Sequence, residues 1–167
     1  MQAVGNPPAA GLDVARLAAA NINPVTRLAT DYLNHFHEAI MLLEMLSEYP
    51  DYLDDLLAWR PLSYREHFSR SHFRDRQLAI LAYETANACI RDGLHDLADV
   101  MAAILRATCR MLRADLPPPA ASMLRERTLA WLKSLVAQAG GLINGQRGGD
   151  APTAASAQAT VDVLMKR

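Results

Sequence analysis

Several features that indicate common functional classes are scarce in this chain. Aromatic residues make up 6% of its 167 residues, and only two cysteines are present, Cys89 and Cys109. Two isolated cysteines do not provide a disulfide framework, so we interpret both as small buried residues in a reducing compartment. The formal net charge is −1, which excludes a bulk electrostatic attraction to nucleic acid.

Long apolar segments are also missing. No uninterrupted run of apolar residues approaches the roughly 20 that a membrane-spanning helix needs. The first residues lack a basic start followed by an apolar stretch, so no secretory signal is visible. No Gly-rich phosphate loop precedes a predicted helix. We therefore expect a cytoplasmic protein that has no membrane partner and no cofactor.

Residues that favour helices, by contrast, are abundant. Hydrophobic residues make up 51% of the chain, and alanine, leucine and methionine outnumber valine and isoleucine. We predict an all-α fold over residues 23–143, an antiparallel bundle of four main helices with additional short ones. Residues 1–22 are predicted to be a mobile segment, residues 144–156 a flexible linker, and residues 157–167 an amphipathic docking peptide.

The predicted helix boundaries follow from capping residues and helix breakers. Asn23-Pro24 is typical of a helix start, because Asn caps the helix and Pro fits its first position. Asp92-Gly93 predicts a turn or a kink, and Gly140-Gly141 predicts a C-terminal cap. The predicted helices span residues 24–47, 50–59, 64–68, 73–88, 94–112 and 120–139. Apolar spacing predicts their inward-facing residues, which include Phe36, Ile40 and Leu43 in the first helix, Leu97, Val100, Met101, Ile104, Leu105 and Met111 in the fifth, and Met123 in the last.

The end of the chain carries a short amphipathic pattern. Val161, Leu164 and Met165 follow helical spacing after the predicted linker. The run Gln158-Ala159-x-Val161-Asp162-x-Leu164-Met165 resembles the Gln-Ala-x-Ile/Val-Asp-x-Leu-Leu peptide of the flagellar motor switch protein. It is also similar to the Val-Asp-x-Leu-Leu peptide that ends the CheZ-type chemotaxis phosphatase. In both families this peptide binds a CheY-type response regulator.

This resemblance implies a function in two-component or chemotaxis signalling. A helical domain followed by a linker and a terminal peptide is also the layout of that phosphatase. We therefore expect a response-regulator receiver as the partner, bound through the terminal peptide as a docked helix. The residues expected to contact it are Gln158, Ala159, Val161, Asp162, Leu164 and Met165. This chain differs in ending at Lys166-Arg167, where the phosphatase continues with further apolar residues.

The resemblance also implies an enzymatic hypothesis, dephosphorylation of the bound receiver. Phosphatases of the chemotaxis class use a helical carboxylate and a nearby amide, which orients the water that attacks the aspartyl phosphate. The CheZ-type Asp-x-x-x-Gln spacing is absent. The Glu-x-x-Asn spacing of another phosphatase family of that system occurs at Glu84 and Asn87, and Asp31 and Asn34 form a looser version. These four are the candidate catalytic residues; solvated helix faces are the alternative interpretation.

A metal-binding bundle is a second hypothesis for the polar residues. A di-iron carboxylate bundle needs a Glu-x-x-His motif on two helices, and this chain has none. It also contains no His-Glu-x-x-His and no Cys-x-x-Cys motif. We therefore predict no metal site. The residues considered as ligands are His35, His37, Glu38, His67 and His72.

A histidine phosphotransfer domain is a third hypothesis. His37 followed by Glu38 resembles the His-Glu pair of sensor-kinase helices. The resemblance stops there, because no Arg or Lys follows the pair. Such a domain would engage the same kind of receiver partner, so this hypothesis and the phosphatase hypothesis share one prediction.

Charge is segregated along the chain. Seven acidic residues and no Lys or Arg lie between Asp31 and Asp55, whereas five Arg lie between Arg60 and Arg76. One interpretation is internal neutralisation, in which the acidic helix lies beside the Arg segment. The other is contact between the Arg segment and an acidic partner, such as the phosphorylation pocket of a receiver.

A non-enzymatic adaptor or homo-oligomer is the alternative outside the signalling enzymes. Met41 and Met45 lie one helical turn apart on the acidic helix. Methionine surfaces adapt to the shape of partner helices. A large, stable homo-oligomer is what this hypothesis predicts.

Overall fold

The computed structural model describes residues 12–146, and this part of the chain is helical without a β-sheet. The all-α class is therefore confirmed. The described helices are α1 (Val14–Ala19), α2 (Asn34–Met45), α3 (Tyr52–Ala58), α4 (Tyr64–Arg70), α5 (Arg76–Glu84), α6 (Ala88–Arg113) and α7 (Pro118–Ile143), with one 3-10 turn at Thr30–Leu33.

Helices α6 and α7 form the largest element of the fold, an antiparallel hairpin. The Thr108 and Thr128 hydroxyls meet near its connection, and Gly93 faces Leu142 at the opposite end. The apolar stripe predicted for α6 is buried from Leu94 to Leu105. Gly93 lies inside α6, so a turn at Asp92-Gly93 and a helix start at Leu94 are both wrong. A glycine inside a helix lowers its stability by about 1 kcal/mol relative to alanine. The packing of α6 against α7 outweighs this cost.

Helix α7 continues beyond the glycines that we predicted to cap it. Gly140-Gly141 lies within the helix, which ends at Ile143 with Asn144 as its cap. The residue in the left-handed region is Gly145, whose φ is 72°. The burial of Ile143 keeps the last turn helical, because unwinding at Gly140 would expose that side chain.

Helix α2 packs antiparallel on α7 as the third long element. The Glu44 carboxylate lies 2.5 Å from the Lys133 ammonium, and Leu33 contacts the α7 backbone at Gly140. Phe36, Ile40 and Leu43, which we predicted to face inward, are buried. Ala39 and Leu42 are buried as well.

The start of α2 differs from the prediction. The Asn23 side chain accepts hydrogen bonds from the backbone N–H groups of Val25 and Thr26, both at 2.9 Å. This bonding caps a tight turn, and Arg27 then takes a left-handed conformation with φ 60°. A helix cannot pass through that conformation, so α2 begins at Asn34 rather than at Pro24.

The segment before this turn is part of the packed unit. Asp13 caps α1 by accepting a hydrogen bond from the Ala15 backbone N–H. Leu17 and Ile22 are buried, and Ile22 pairs with Ala29 in an isolated antiparallel bridge. The packed unit therefore begins before residue 23, where we predicted its boundary. Residues 1–11 lie outside the described part.

Three short helices follow α2 in the chain: α3 packs against α2, α4 contacts the 3-10 turn, and α5 packs on α4. Ser63 and Glu66 form a reciprocal capping box at the start of α4, as expected for a helix beginning after Ser63. The Ser71 hydroxyl accepts a hydrogen bond from the Phe73 backbone N–H, but α5 begins only at Arg76. It ends at Glu84 with Thr85 as its C-terminal cap, and the Thr85 backbone N–H and hydroxyl both donate to the Ala82 carbonyl.

Candidate functional site

Two of the predicted catalytic residues lie together in a shallow groove. Asp31 belongs to the 3-10 turn and is half-buried, whereas Asn34 is the first residue of α2 and is exposed. Both line a groove of about 330 Å³ between the start of α2 and the last turns of α7. His37 extends the polar side of the groove, and Val136 and Gly140 form the α7 side.

A second depression adjoins the first and reaches the end of α7. It has a volume of about 340 Å³, and Asp31 lines it together with Asn23 on one side and Ile143 and Asn144 on the other. Asp31 therefore stands between the two depressions. Asn144 is the C-terminal cap of α7, so the end of this helix forms one side of the depression.

The C-terminal end of α7 is tied to the N-terminal turn. The Thr26 hydroxyl donates a hydrogen bond of 2.5 Å to the Ile143 carbonyl, and both residues are buried. Gly145 approaches the methyl group of Thr26, where an added Cβ would make ordinary contact at 3.6 Å. This bond fixes the edge of the depression that contains Asp31.

Two buried tyrosines hold the turn that carries Asp31. The Tyr32 hydroxyl donates to the Leu62 carbonyl at 3.0 Å, and the Tyr64 hydroxyl accepts from the Ala29 N–H at 2.9 Å. Burial raises the pKa of both phenols, so both remain neutral and able to hydrogen-bond. Tyr64 also stacks on Tyr83 of α5, which connects the turn to the short helices.

A buried histidine lies directly beneath this turn. His35 is 6% exposed, and its Nδ1 lies 2.6 Å from the Tyr32 carbonyl oxygen. A carbonyl only accepts hydrogen bonds, so Nδ1 carries the proton of the neutral ring. Nε2 is buried and has no hydrogen-bond partner in the described structure. Burial lowers the pKa of His35 to about 4.

A second histidine contacts the first from α4. The His35 and His67 ring centroids are 5.4 Å apart, and the indole of Trp59 stacks on His35 at 5.9 Å. The Trp59 indole N–H donates to the His35 carbonyl at 2.9 Å. Burial lowers the pKa of His67, and the Asp31 carboxylate and a hydrogen bond to its backbone act against that shift.

The other acid–amide pair has a different environment. Glu84 is the last residue of α5 and forms an ion pair with Arg65 of α4. The Asn87 side chain caps α6 by accepting a hydrogen bond of 2.9 Å from the Cys89 N–H. The two residues therefore do not share a helix face, and each has a role at a helix end.

The predicted partner-binding peptide lies outside the described residues. Its residues are Gln158, Ala159, Val161, Asp162, Leu164 and Met165, whereas the described structure ends at residue 146. Receiver binding by this peptide stays a prediction.

The residues considered as metal ligands are dispersed in the structure. His37 and Glu38 are exposed on α2, and His72 is exposed in the segment between α4 and α5. His35 is buried next to His67. Within residues 12–146, no three His, Cys, Asp or Glu side chains are grouped so that they could hold a metal ion.

The ion pairs of the acidic helix and of the Arg segment differ from the predicted internal neutralisation, in which the two would pair with each other. Glu44 of the acidic helix pairs with Lys133 of α7, and Arg65 pairs with Glu84 of α5. Neither of these ion pairs joins the acidic helix to the Arg segment. The Arg60 guanidinium instead binds the carbonyls of Leu57 and Trp59 at its own helix end.

Both cysteines were predicted to be buried, and this is wrong for Cys89. Cys89 is exposed on the first turn of α6, whereas Cys109 is half-buried. Burial raises the pKa of the Cys109 thiol. Cys109 contacts the Leu56 carbonyl and so helps to join α6 to α3.

No protein-family model matches this chain, and neither a curated protein nor a solved structure matches it significantly. Among the helices of residues 12–146, none combines the length and the apolar character that crossing a bilayer requires.

Proposed function

We propose that this protein is a signalling accessory that binds a CheY-type receiver through Gln158–Met165 and promotes hydrolysis of the receiver's aspartyl phosphate. The supporting observation is the position of the C-terminal end of α7. Asn144, which caps this helix, lines the same depression as Asp31. A receiver held by the peptide would therefore be tethered on the side of the packed unit that carries Asp31 and Asn34.

The length of the tether is compatible with this arrangement. About 12 positions separate Gln146 from Gln158, and a chain of that length spans at most ~40 Å when fully extended. This span exceeds the radius of a small receiver domain, so a docked receiver can turn its phosphorylated face toward Asp31. Tethering raises the local concentration of the receiver to the millimolar range.

The chemistry requires positioned polar groups and little else. Water attacks the phosphorus in line, the bond between phosphorus and the receiver's aspartyl oxygen breaks, and inorganic phosphate leaves with the carboxylate restored. The exposed Asn34 amide is suited to orient that water. The carboxylate of Asp31, on the neighbouring turn, is suited to hold a cationic side chain of the receiver.

The binding step is tested by calorimetry with purified full-length protein. Each CheY-type receiver of the source organism is titrated after activation with a phosphoryl mimic. We expect micromolar binding to one of them, and loss of at least tenfold in affinity for Leu164→Ala. Lys166→Ala is the matched control in the same peptide and is expected to bind nearly as well. Unchanged affinity after deletion of residues 157–167 would contradict receiver binding by this peptide.

The catalytic step is tested by phosphate release from the phosphorylated receiver. We expect Asn34→Ala to slow release at least tenfold while leaving receiver affinity unchanged, because Asn34 is exposed and its side chain is not needed for the fold. Asn87→Asp is the matched control, since Asp preserves the N-cap of α6. Full activity of Asn34→Ala would refute the proposed role of the groove and leave a binding function.

A helical adaptor is the second candidate, and exposed methionines support it. Met41 is 50% exposed on α2 and Met123 is 65% exposed on α7. Light scattering distinguishes the two candidates: a stable homo-oligomer that Met41→Glu dissociates favours the adaptor. A monomer that binds a receiver favours the signalling accessory.

A further inference from the structure

Two histidines beneath the Asp31 turn contact that turn from different helices. His35 of α2 donates from Nδ1 to the Tyr32 carbonyl at 2.6 Å. The His67 ring of α4 lies edge-on to the Tyr32 ring, with 5.9 Å between the ring centroids. Tyr32 of the 3-10 turn is therefore contacted by both histidines.

The same histidines are enclosed by aromatic rings. His35 contacts Phe36 at 4.1 Å between ring centroids and stacks nearly parallel to Trp59, with an interplanar angle of 10°. Tyr32 lies edge-on to His67 at 5.9 Å. A protonated imidazole at His35 would place an N–H bond at Nε2, which is buried and has no acceptor. Such a buried, unpaired charge is strongly unfavourable.

The charged and titratable neighbours do not supply a counter-ion for His35. The neighbour whose charge affects the pKa of His35 is His67, and it lowers that pKa further. The Asp31 carboxylate acts on His67 rather than on His35. The titratable groups whose charges act on the pKa values of Tyr32, His35, Tyr64 or His67 are Asp31 and Tyr32 in the 3-10 turn, Glu66 and His67 in α4, Tyr83 in α5 and Asp99 in α6.

We infer that His35 and His67 form an acid-sensitive clamp that holds the Asp31 turn at neutral pH and releases it when the imidazoles take up protons. The release separates the Trp59 stack and α4 from α2, because the imidazolium at His35 must reach water. Helices α6 and α7 do not contribute rings to the stack and stay packed. This inference concerns the protein alone and does not rest on the proposed function.

The expected size of the effect follows from the closed and open states. The His35 pKa rises from about 4 when closed to its ordinary value of 6.5 when open. The open state therefore binds the proton more tightly, and acid favours opening. Between pH 7 and pH 5 the opening equilibrium is expected to increase roughly 20-fold, and stability of the clamp is lost as the pH falls from about 6.5 toward 4.

Hydrogen exchange between pH 7 and pH 5, corrected for the intrinsic pH dependence of exchange, tests this inference on the full chain. We expect opening to increase in peptides covering residues 30–70, while peptides from α6 and α7 stay protected. His35→Phe keeps a ring in the stack but cannot be protonated, so the pH response of its opening should fall to the smaller part that His67 contributes. His37→Gln, an exposed histidine on the same helix, is the matched control and should behave as the unmodified protein.

Histidine NMR resonances provide a second measurement that does not depend on a variant folding. We expect one histidine of the unmodified protein to remain neutral until the clamp opens below about pH 5, and His35→Phe to remove that resonance. Titration of every histidine near 6.5 would overturn the inference. Equal opening in His35→Phe and the unmodified protein, or simultaneous loss of protection in α6 and α7, would also overturn it.

Discussion

The buried hydroxyl pair between α6 and α7 allows a sharp test of the packing. Thr108 and Thr128 are 3% and 0% exposed, and their hydroxyl oxygens are 2.8 Å apart. Each hydroxyl is the other's partner across the largest helix contact in the described structure. Replacing one Thr by Val keeps the shape and leaves the remaining hydroxyl without that partner.

The two single variants and the double variant should therefore differ in a characteristic way. Leaving one buried polar group unpaired costs about 1–3 kcal/mol, and a hydroxyl in a helix recovers part of this by bonding to the preceding turn. We expect Thr108→Val and Thr128→Val each to lower the free energy of unfolding by about 1.5 kcal/mol. The double variant, with both polar groups gone, should lie within about 1 kcal/mol of the unmodified protein, a coupling of roughly 2 kcal/mol.

Urea unfolding followed by far-ultraviolet circular dichroism measures these free energies. Thr85→Val is the control, because that hydroxyl binds a carbonyl of its own helix and the residue is exposed. We expect the control to change stability by no more than about 0.5 kcal/mol. A double variant destabilised by the sum of the two single effects would refute the reasoning, since independent hydroxyls would behave in that way.

Other positions give further tests by thermal or urea unfolding. Gly140→Ala should stabilise by about 0.5–1 kcal/mol, because Gly140 is inside a helix and the added Cβ meets its nearest neighbour at 3.9 Å. Gly145→Ala should destabilise by about 1 kcal/mol, because φ is 72° there; stabilisation at both sites would contradict the helix end at Ile143. Tyr64→Phe should destabilise by about 1–3 kcal/mol by leaving the buried Ala29 N–H unpaired, and unchanged stability would contradict that role.

The apolar periodicity of the sequence predicted most of the core. Phe36, Ile40 and Leu43 lie on one helical face, and all three are buried. Periodicity succeeds here because one face of each long helix packs against another helix, so spacing along the chain reports position in space. The same rule failed for Met111 and Met123, which lie near the α6–α7 connection and are exposed.

The helix boundaries could not be predicted as well, because tertiary contacts decide them. Asn23 is a residue type that often caps helices, but here its side chain closes a separate turn. Glycine is common in turns, but Gly93 lies inside α6, where the absence of a side chain allows the helix to approach Leu142 of α7. In each case the local preference amounts to about 1 kcal/mol or less, which packing between distant residues outweighs.

The candidate site was predicted in part. The spacing of Asp31 and Asn34 placed them close together, and both line one groove. The opposite wall, Val136 and Gly140, comes from the last helix and has no signal in the local sequence. The stack of His35 on Trp59 was missed for the same reason, since the two residues belong to different elements.

The bond between Thr26 and Ile143 has a consequence for the order of events during synthesis. Its two residues are separated by 117 positions, so the ribosome completes the second roughly 6 to 23 s after the first. During that interval Ile22 and Leu28 lack Ile143, which lines the same depression in the folded protein. The groove beside Asp31 also lacks its α7 wall until then. A nascent chain stalled before α7 would thus display the acid–amide pair without the surface that shapes it.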